Sequence, residues 1–478
     1  MPFRMPVISR EELDRLHQAT VEVLSTTGVE FSSPKARRVF QDHGFRVEAE
    51  RVFIEGDQLS RALETVPGHI RLRARNSDND LAIGGQDFVL GTIGGAPNFI
   101  DEHGHQTRGT TEMYGRFCRL VQTSEFKTLA PHSCCYPADV DLKTSHLDMI
   151  RLDMTLTDRV MLINCTNGLT VGHCLDILDL IFGGRRQIIS EPCAMGIINP
   201  FSPLRYANYQ SEALMMMAAN NQAIQLTNQI LMGLTGPVSL PAALVVGNAE
   251  LMGGIVLAQL VRPGVPIIYG STSCPIDMQS MTPILGSPET MWLSSATLAL
   301  GDYYGLPSRT GGSLTDSHQV DAQAFMDGAL LMYNALAGGA HFIQHALGCM
   351  SSYMAASLEK LVMDEEMARM IIASFKRPVI DEDSLNLDLI RRMGSFGNYL
   401  IQPETLKDYR GLFRSRFIKR LNPEQWRERG RVSAFEAAKA EVRRRLASYV
   451  KPPIDSKLEA EIDFYVASAK KSFYLKTT

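Results

Sequence analysis

From residue 86 onward the chain repeats one unit: a short apolar run ends in Gly, Pro, Ser, Thr or Asn, and a long amphipathic segment follows. The runs are DFVLGTIGG (87–95), KTLAPHS (127–133), RVMLINCTNG (159–168) and CAMGIINPFSP (193–203), then AIQLTNQILMG (223–233), PIIYGSTS (266–273), PSRTGGS (307–313) and AHFIQHALG (340–348). Such alternation predicts parallel strands joined by right-handed helical crossovers. Eight units in this length predict an α/β fold, a (β/α)8 TIM barrel. An open doubly wound sheet is the alternative. It would call for a Gly-rich phosphate turn after the first strand, and GTIGGAP lacks the GxGxxG spacing.

The barrel is expected over 86–400, with extensions on both sides. Residues 1–85 read as a helical extension with short strands at RVFIE and HIRLRAR. Its first helix opens with Ser9 as N-cap and Glu12 three residues on. Residues 401–478 read as a C-terminal helical tail. There QWRERGRVSAFEAAKAEVRRRLASYV is expected to be one charged helix and 457–470 another.

The chain is 45% hydrophobic and 21% charged, with a net charge of −4, so no basic surface for nucleic acid is expected. The longest apolar stretch, AALVVGNAELMGGIVLAQL, is broken by Asn, Glu and Gln and reads as a buried helix, not a membrane span. No apolar run follows the first basic residue, so no signal peptide is expected. The eight cysteines are scattered without a CxxC pair, which fits reduced thiols in a cytoplasmic protein.

In a barrel the C-terminal strand ends build the site. They carry mainly small and polar residues, among them Thr92, Gly94, Gly95, Ser133, Asn164, Asn199, Gln229, Ser271, Thr272, Arg309, Gly311 and His345. No strand end carries a lysine for Schiff-base chemistry, and neither GxSxG nor HExxH occurs. His132, Cys134 and Cys274 could together bind zinc and activate a thiol for methyl transfer, or could be packed rim residues. Arg309 has two readings. It pairs internally with Asp316 or Asp321, or its planar fork holds a substrate carboxylate. His345 ends the neighbouring strand and is expected beside it. Tyr353, Phe342, Tyr136 and Phe201 could supply aromatic faces for a quaternary ammonium, or pack the core.

Several stretches carry a resemblance to a known family: LTGPVSLPAALVVGNAELMGGIVLAQLVRPGVPIIYGSTSCPIDM (234–278), GSPETMWLSSATLALGDYYGLPSRTGGSLTDSHQVDAQ (286–323) and SLEKLVMDEE (357–366). With them the chain resembles the trimethylamine methyltransferase family of (β/α)8 barrels. The resemblance implies transfer of a methyl group from a methylated amine to the cobalt of a corrinoid (cobalamin) carried by a separate protein. Archaeal trimethylamine members carry pyrrolysine in the stretch matching 316–323, where this chain has ordinary residues. The resemblance is therefore to the non-pyrrolysine branch, which acts on betaine-type quaternary amines such as glycine betaine. On this reading the expected substrate contacts are Arg309, His345, Tyr353, Phe342, Asn199, Phe201 and Tyr136. Corrinoid contacts are expected at Gly94, Gly95, Ser271 and Gly311, with no tightly bound metal, and a family-like homo-oligomer is expected. A zinc methyltransferase acting on a thiol and a non-catalytic betaine binder are the alternatives.

Overall fold

The computed structural model describes residues 8–131 and 133–477. Seven of the eight apolar runs form strands: β1 (Val89–Thr92), β2 (Met161–Asn164), β3 (Ala194–Ile198), β4 (Ala223–Asn228), β5 (Ile267–Ser271), β6 (Ser308–Gly311) and β7 (Phe342–Leu347). They make one curled sheet in the order β1-β7-β6-β5-β4-β3-β2, and every neighbouring pair is parallel. The second run differs from expectation: its residues 127–131 are not a regular strand. Pro131 has no N–H to give to a ladder. The run still touches both sheet edges. Lys127 O accepts from Leu90 N at 3.2 Å, and Ala130 N donates to Val160 O at 2.9 Å.

Helices follow each run: α1 (Thr111–Gln122), α2 (Ser145–Leu156), α3 (Gly168–Phe182), α4 (Asn208–Ala219), α5 (Leu240–Val261), α6 (Pro288–Tyr304), α7 (Ala322–Ala337) and α8 (Leu358–Ser374). Among the described residues, α5 alone is long and apolar enough to cross a bilayer, and its most apolar window is 78% buried inside the protein. It packs against the N-terminal extension, whose first helix (Arg10–Glu22) starts on a reciprocal capping box between Ser9 and Glu12. Strand Val29–Phe31 pairs in parallel with Arg205–Tyr206, and the Phe31 and Tyr206 rings stack at 4.9 Å. That contact anchors the loop after β3, which carries Asn199 and Phe201.

Inside the curl, Val89, Leu129, Leu162, Met195, Ala223, Ile268 and Phe342 form an apolar layer. The antiparallel hairpin Ile70–Leu72 with Leu81–Ile83 joins the same cluster and seals the end where the strands begin. The polar side chains of Thr227, Arg309 and Gln344 stand above this floor, toward the strand C-termini.

The tail departs from its expected form. The stretch read as one helix is two, Pro423–Glu428 and α9 (Ala434–Ala447). Gly430 lies between them at φ +80°, and Ser433 caps α9 by accepting from Glu436 N. The last helix, α10 (Ser456–Thr477), is longer than expected.

At the upper edge of the sheet, α8 holds a fully buried ion pair between Lys360 and Asp364. Lys360 Nζ also donates to Ser313 Oγ, while Asp364 accepts from Ser313 Oγ at 2.6 Å and from Gly348 N at 2.8 Å. The pair thus ties the end of β6 to the end of β7. Lys360→Ala leaves a buried carboxylate without its cation and is expected to cost about 3–5 kcal/mol, read by denaturant unfolding.

Candidate active site

Above the apolar floor lies a cavity of about 530 Å³, bounded by residues from nearly every strand end. Arg309 of β6 is its most confined polar group, at 1% exposure. Its Nη1 donates to Thr227 Oγ1 at 3.0 Å and its Nη2 to Gln344 Oε1, while Nε has no partner. Thr227 is on β4, so the side chain passes over β5 to reach it. It can do so because β5 offers Gly270 there: a Cβ would stand 2.5 Å from Arg309 Cγ and Cδ.

No carboxylate pairs with this guanidinium among the described residues. Asp316 instead accepts from Leu285 N at 2.9 Å, from Gly286 N at 3.1 Å and from Ser352 Oγ at 2.6 Å. Asp321 caps α7, accepting from Ala324 N at 3.1 Å, and also accepts from Ser317 Oγ at 2.9 Å. The internal-pair reading of Arg309 is thereby set aside. Burial pulls its pKa down to about 10, so it remains a cation at neutral pH. A buried cation held only by neutral acceptors is poorly compensated and favours an incoming anion.

His345 faces the same cavity for an unusual reason. Simple alternation along β7 would place Gln344 inside and its neighbour outside. The ladder slips between Ile343 and Leu347, and His345 takes φ +55°, so both side chains line the cavity. Gly94 N donates to His345 Nδ1 at 3.4 Å, which leaves the ring hydrogen on Nε2. Burial, aided by the Arg309 charge, holds the imidazole well below its ordinary pKa, so it is neutral. Tyr353 lies against it with ring centroids 4.7 Å apart.

Ser351, Ser352 and Tyr353 are all left-handed, at φ +53°, +50° and +72°. Backbone bonds hold this costly turn, with Ser351 N donating to Ser317 O and Ser352 N to Thr315 O, each at 3.0 Å.

The remaining expected residues divide clearly. Asn199, Phe201, Tyr136, Gly94 and Gly95 line the cavity with Arg309, His345 and Tyr353. Phe342 does not: it is part of the apolar floor, where its ring fills the space left by Gly91. Ser271 is turned to protein partners, Asn228 O at 3.3 Å and Ser273 Oγ at 2.7 Å. Gly311 offers no free space, because Leu314 occupies the place of its missing side chain.

Of the suggested zinc ligands, His132 lies outside the described residues. Cys134 and Cys274 are buried thiols whose pKa values burial raises, to about 12 for Cys274.

Four contributors were missed: Gln344, Thr227, Gly270 and Glu250. Gly270 had a signal, since a glycine within a strand marks close approach of another group. Glu250 of α5 had none. It is buried behind Asn228, whose Nδ2 donates to it at 2.8 Å, and accepts from Ser202 Oγ at 3.0 Å and Leu204 N at 2.9 Å. Burial lifts its carboxyl from 4.5 to about 7. The native carboxyl thus holds its proton more tightly than the unfolded one, so its contribution to stability falls as pH rises from 4.5 through 7. The Glu250→Gln variant is expected to lose this fall, on the order of 3 kcal/mol, when denaturant unfolding is compared at low and high pH.

The whole chain resembles known proteins. The family model described as trimethylamine methyltransferase matches residues 2–473. A glycine betaine methyltransferase from Desulfitobacterium hafniense (strain Y51) is 31% identical over 97% of this chain and 97% of its own. A trimethylamine methyltransferase MttB from Desulfitobacterium hafniense (strain DSM 10664 / DCB-2) is 28% identical over 98% of this chain and 95% of its own. A proline betaine:corrinoid methyltransferase from Eubacterium limosum is 28% identical over 97% and 98%. With the family model spanning almost its whole length, the chain belongs to the trimethylamine methyltransferase family.

Proposed function

We propose that this protein moves a methyl group from a betaine-type quaternary amine, glycine betaine first among them, to a corrinoid carried by a partner protein. Arg309 carries the reading: a desolvated cation with no carboxylate partner among the described residues, one strand from a neutral imidazole. A trimethylammonium carboxylate supplies the missing anion. Its acid group is held by the Arg309 fork, with His345 Nε2–H as a second donor. The cationic end lies toward Tyr353, Tyr136 and Phe201.

The relatives include a glycine betaine methyltransferase and two corrinoid methyltransferases named for proline betaine and L-carnitine, which supports the same substrate class. The closed (β/α)8 barrel is part of this proposal, with residues 127–130 bridging the two edges of the sheet through Lys127 and Ala130.

The rim suits a bulky carrier. Gly95 has open space where a side chain would stand, and Phe201, Leu234, Met278 and Met354 are about half exposed or more on the surrounding loops. The corrinoid supplies a Co(I) nucleophile for the methyl group. The chain's own residues position the substrate and keep water away, and a neutral tertiary amine leaves without needing a proton.

The test is a panel of glycine betaine, proline betaine, carnitine, choline and trimethylamine with Co(I) cobalamin, followed by absorbance. In the Arg309→Ala variant, KM for the accepted betaine is expected to rise about 10- to 150-fold, the range for losing a hydrogen bond to a charged group. A carboxylate-free quaternary amine should change little. Equal losses on both would overturn the carboxylate role, and binding without methyl transfer would favour a betaine binder. Chelator treatment is expected to leave activity intact; loss restored by zinc would revive the thiol reading.

A further inference from the structure

Between α8 and α9 the chain makes a long excursion, residues 376–432, in which Leu389 is the sole buried residue. Fifteen large apolar side chains there are more than two-fifths exposed, among them Ile380 (75%), Phe396 (101%), Leu400 (76%) and Ile401 (69%). At roughly 100 Å² each they present on the order of 1,500 Å² of apolar surface, above the roughly 800 Å² that one partner gives to a standard interface. Short helices with so little buried surface have no core of their own.

A matching face lies where the excursion begins. On α7, Met326, Leu330 and Tyr333 recur at i, i+4 and i+7 and are 61%, 55% and 45% exposed. Met370 of α8 and Phe375 extend the stripe, with the Tyr333 and Phe375 rings 5.4 Å apart.

Charge points to the occupant. The excursion holds thirteen Lys and Arg against eight Asp and Glu, net +5, within a chain of net −4, so the remainder carries −9. The α7 helix contains no basic residue that would repel it. Another copy of the chain therefore offers both an apolar stripe and an oppositely charged body.

We propose that residues 376–432 form an exchanged arm lying across the α7–α8 face of a second copy, with its own α7–α8 face covered in return. Such a contact is isologous and closes on two chains. It is independent of the chemistry assigned to the cavity.

The full-length protein is expected to show a mass of two chains, or an even multiple, by light scattering and sedimentation at micromolar concentration. Leu400→Asp with Ile401→Asp, and separately Leu330→Asp, should each reduce it to one chain with an unchanged far-UV spectrum. Should these variants misfold, an equimolar mixture of Leu400→Cys and Leu330→Cys proteins is oxidised instead. A disulfide-linked pair between the two kinds of chain supports the arm. A monomeric wild type, variants that keep the wild-type mass, or absence of the mixed disulfide overturns it.

Discussion

The site depends on one desolvated cation. Arg309 leaves β6, crosses β5 where Gly270 has no side chain, and reaches a threonine on β4. Taking a guanidinium out of water is expensive unless charge meets charge. Here, among the described residues, it meets the oxygens of Thr227 and Gln344 and no carboxylate. The lowered pKa of Arg309 and the neutral state of His345 share that cause, since burial disfavours both charges and the arginine further disfavours the imidazolium. In the proposed function the cavity is an anion site beside aromatic walls, a pairing that suits a zwitterionic methylammonium.

Much of the scaffold serves to hold this pair of residues. The Lys360–Asp364 clamp joins the loops after β6 and β7, the two strands carrying Arg309 and His345. Asp316, once a candidate partner for the arginine, instead fixes the turn that presents Tyr353 through Ser352. The acidic residues that follow β6 thus shape the wall, leaving the cation at its centre uncompensated.

The strand–helix rhythm was legible because apolar runs and glycine-marked ends recur at the right spacing. The irregular 127–131 segment was not, because its apolar content hides a proline that cannot donate to a ladder. Arg309 was found from its position in PSRTGG, and His345 from its place at the next strand's end. Phe342 was misplaced because period-two counting puts it inside the curl without saying at which depth, and its depth is the floor. Gly311 and Gly270 show the same limit: both are strand glycines, yet which one makes room for a neighbour depends on Leu314 and Arg309 in three dimensions. The carboxyl of Glu250 was invisible because it comes from the middle of an apolar helix, where its partners lie far away in sequence.

The hairpin beneath the curled sheet closes the chamber at the end where the strands begin and leaves the strand C-termini as its way in. A carrier seated on that doorway would shut behind it whatever already stood inside. In the proposed reaction the amine must therefore arrive before its acceptor, and the demethylated product must wait for the acceptor to depart. Sequence of arrival and departure is thus dictated by masonry at the far end, some distance from any reacting atom.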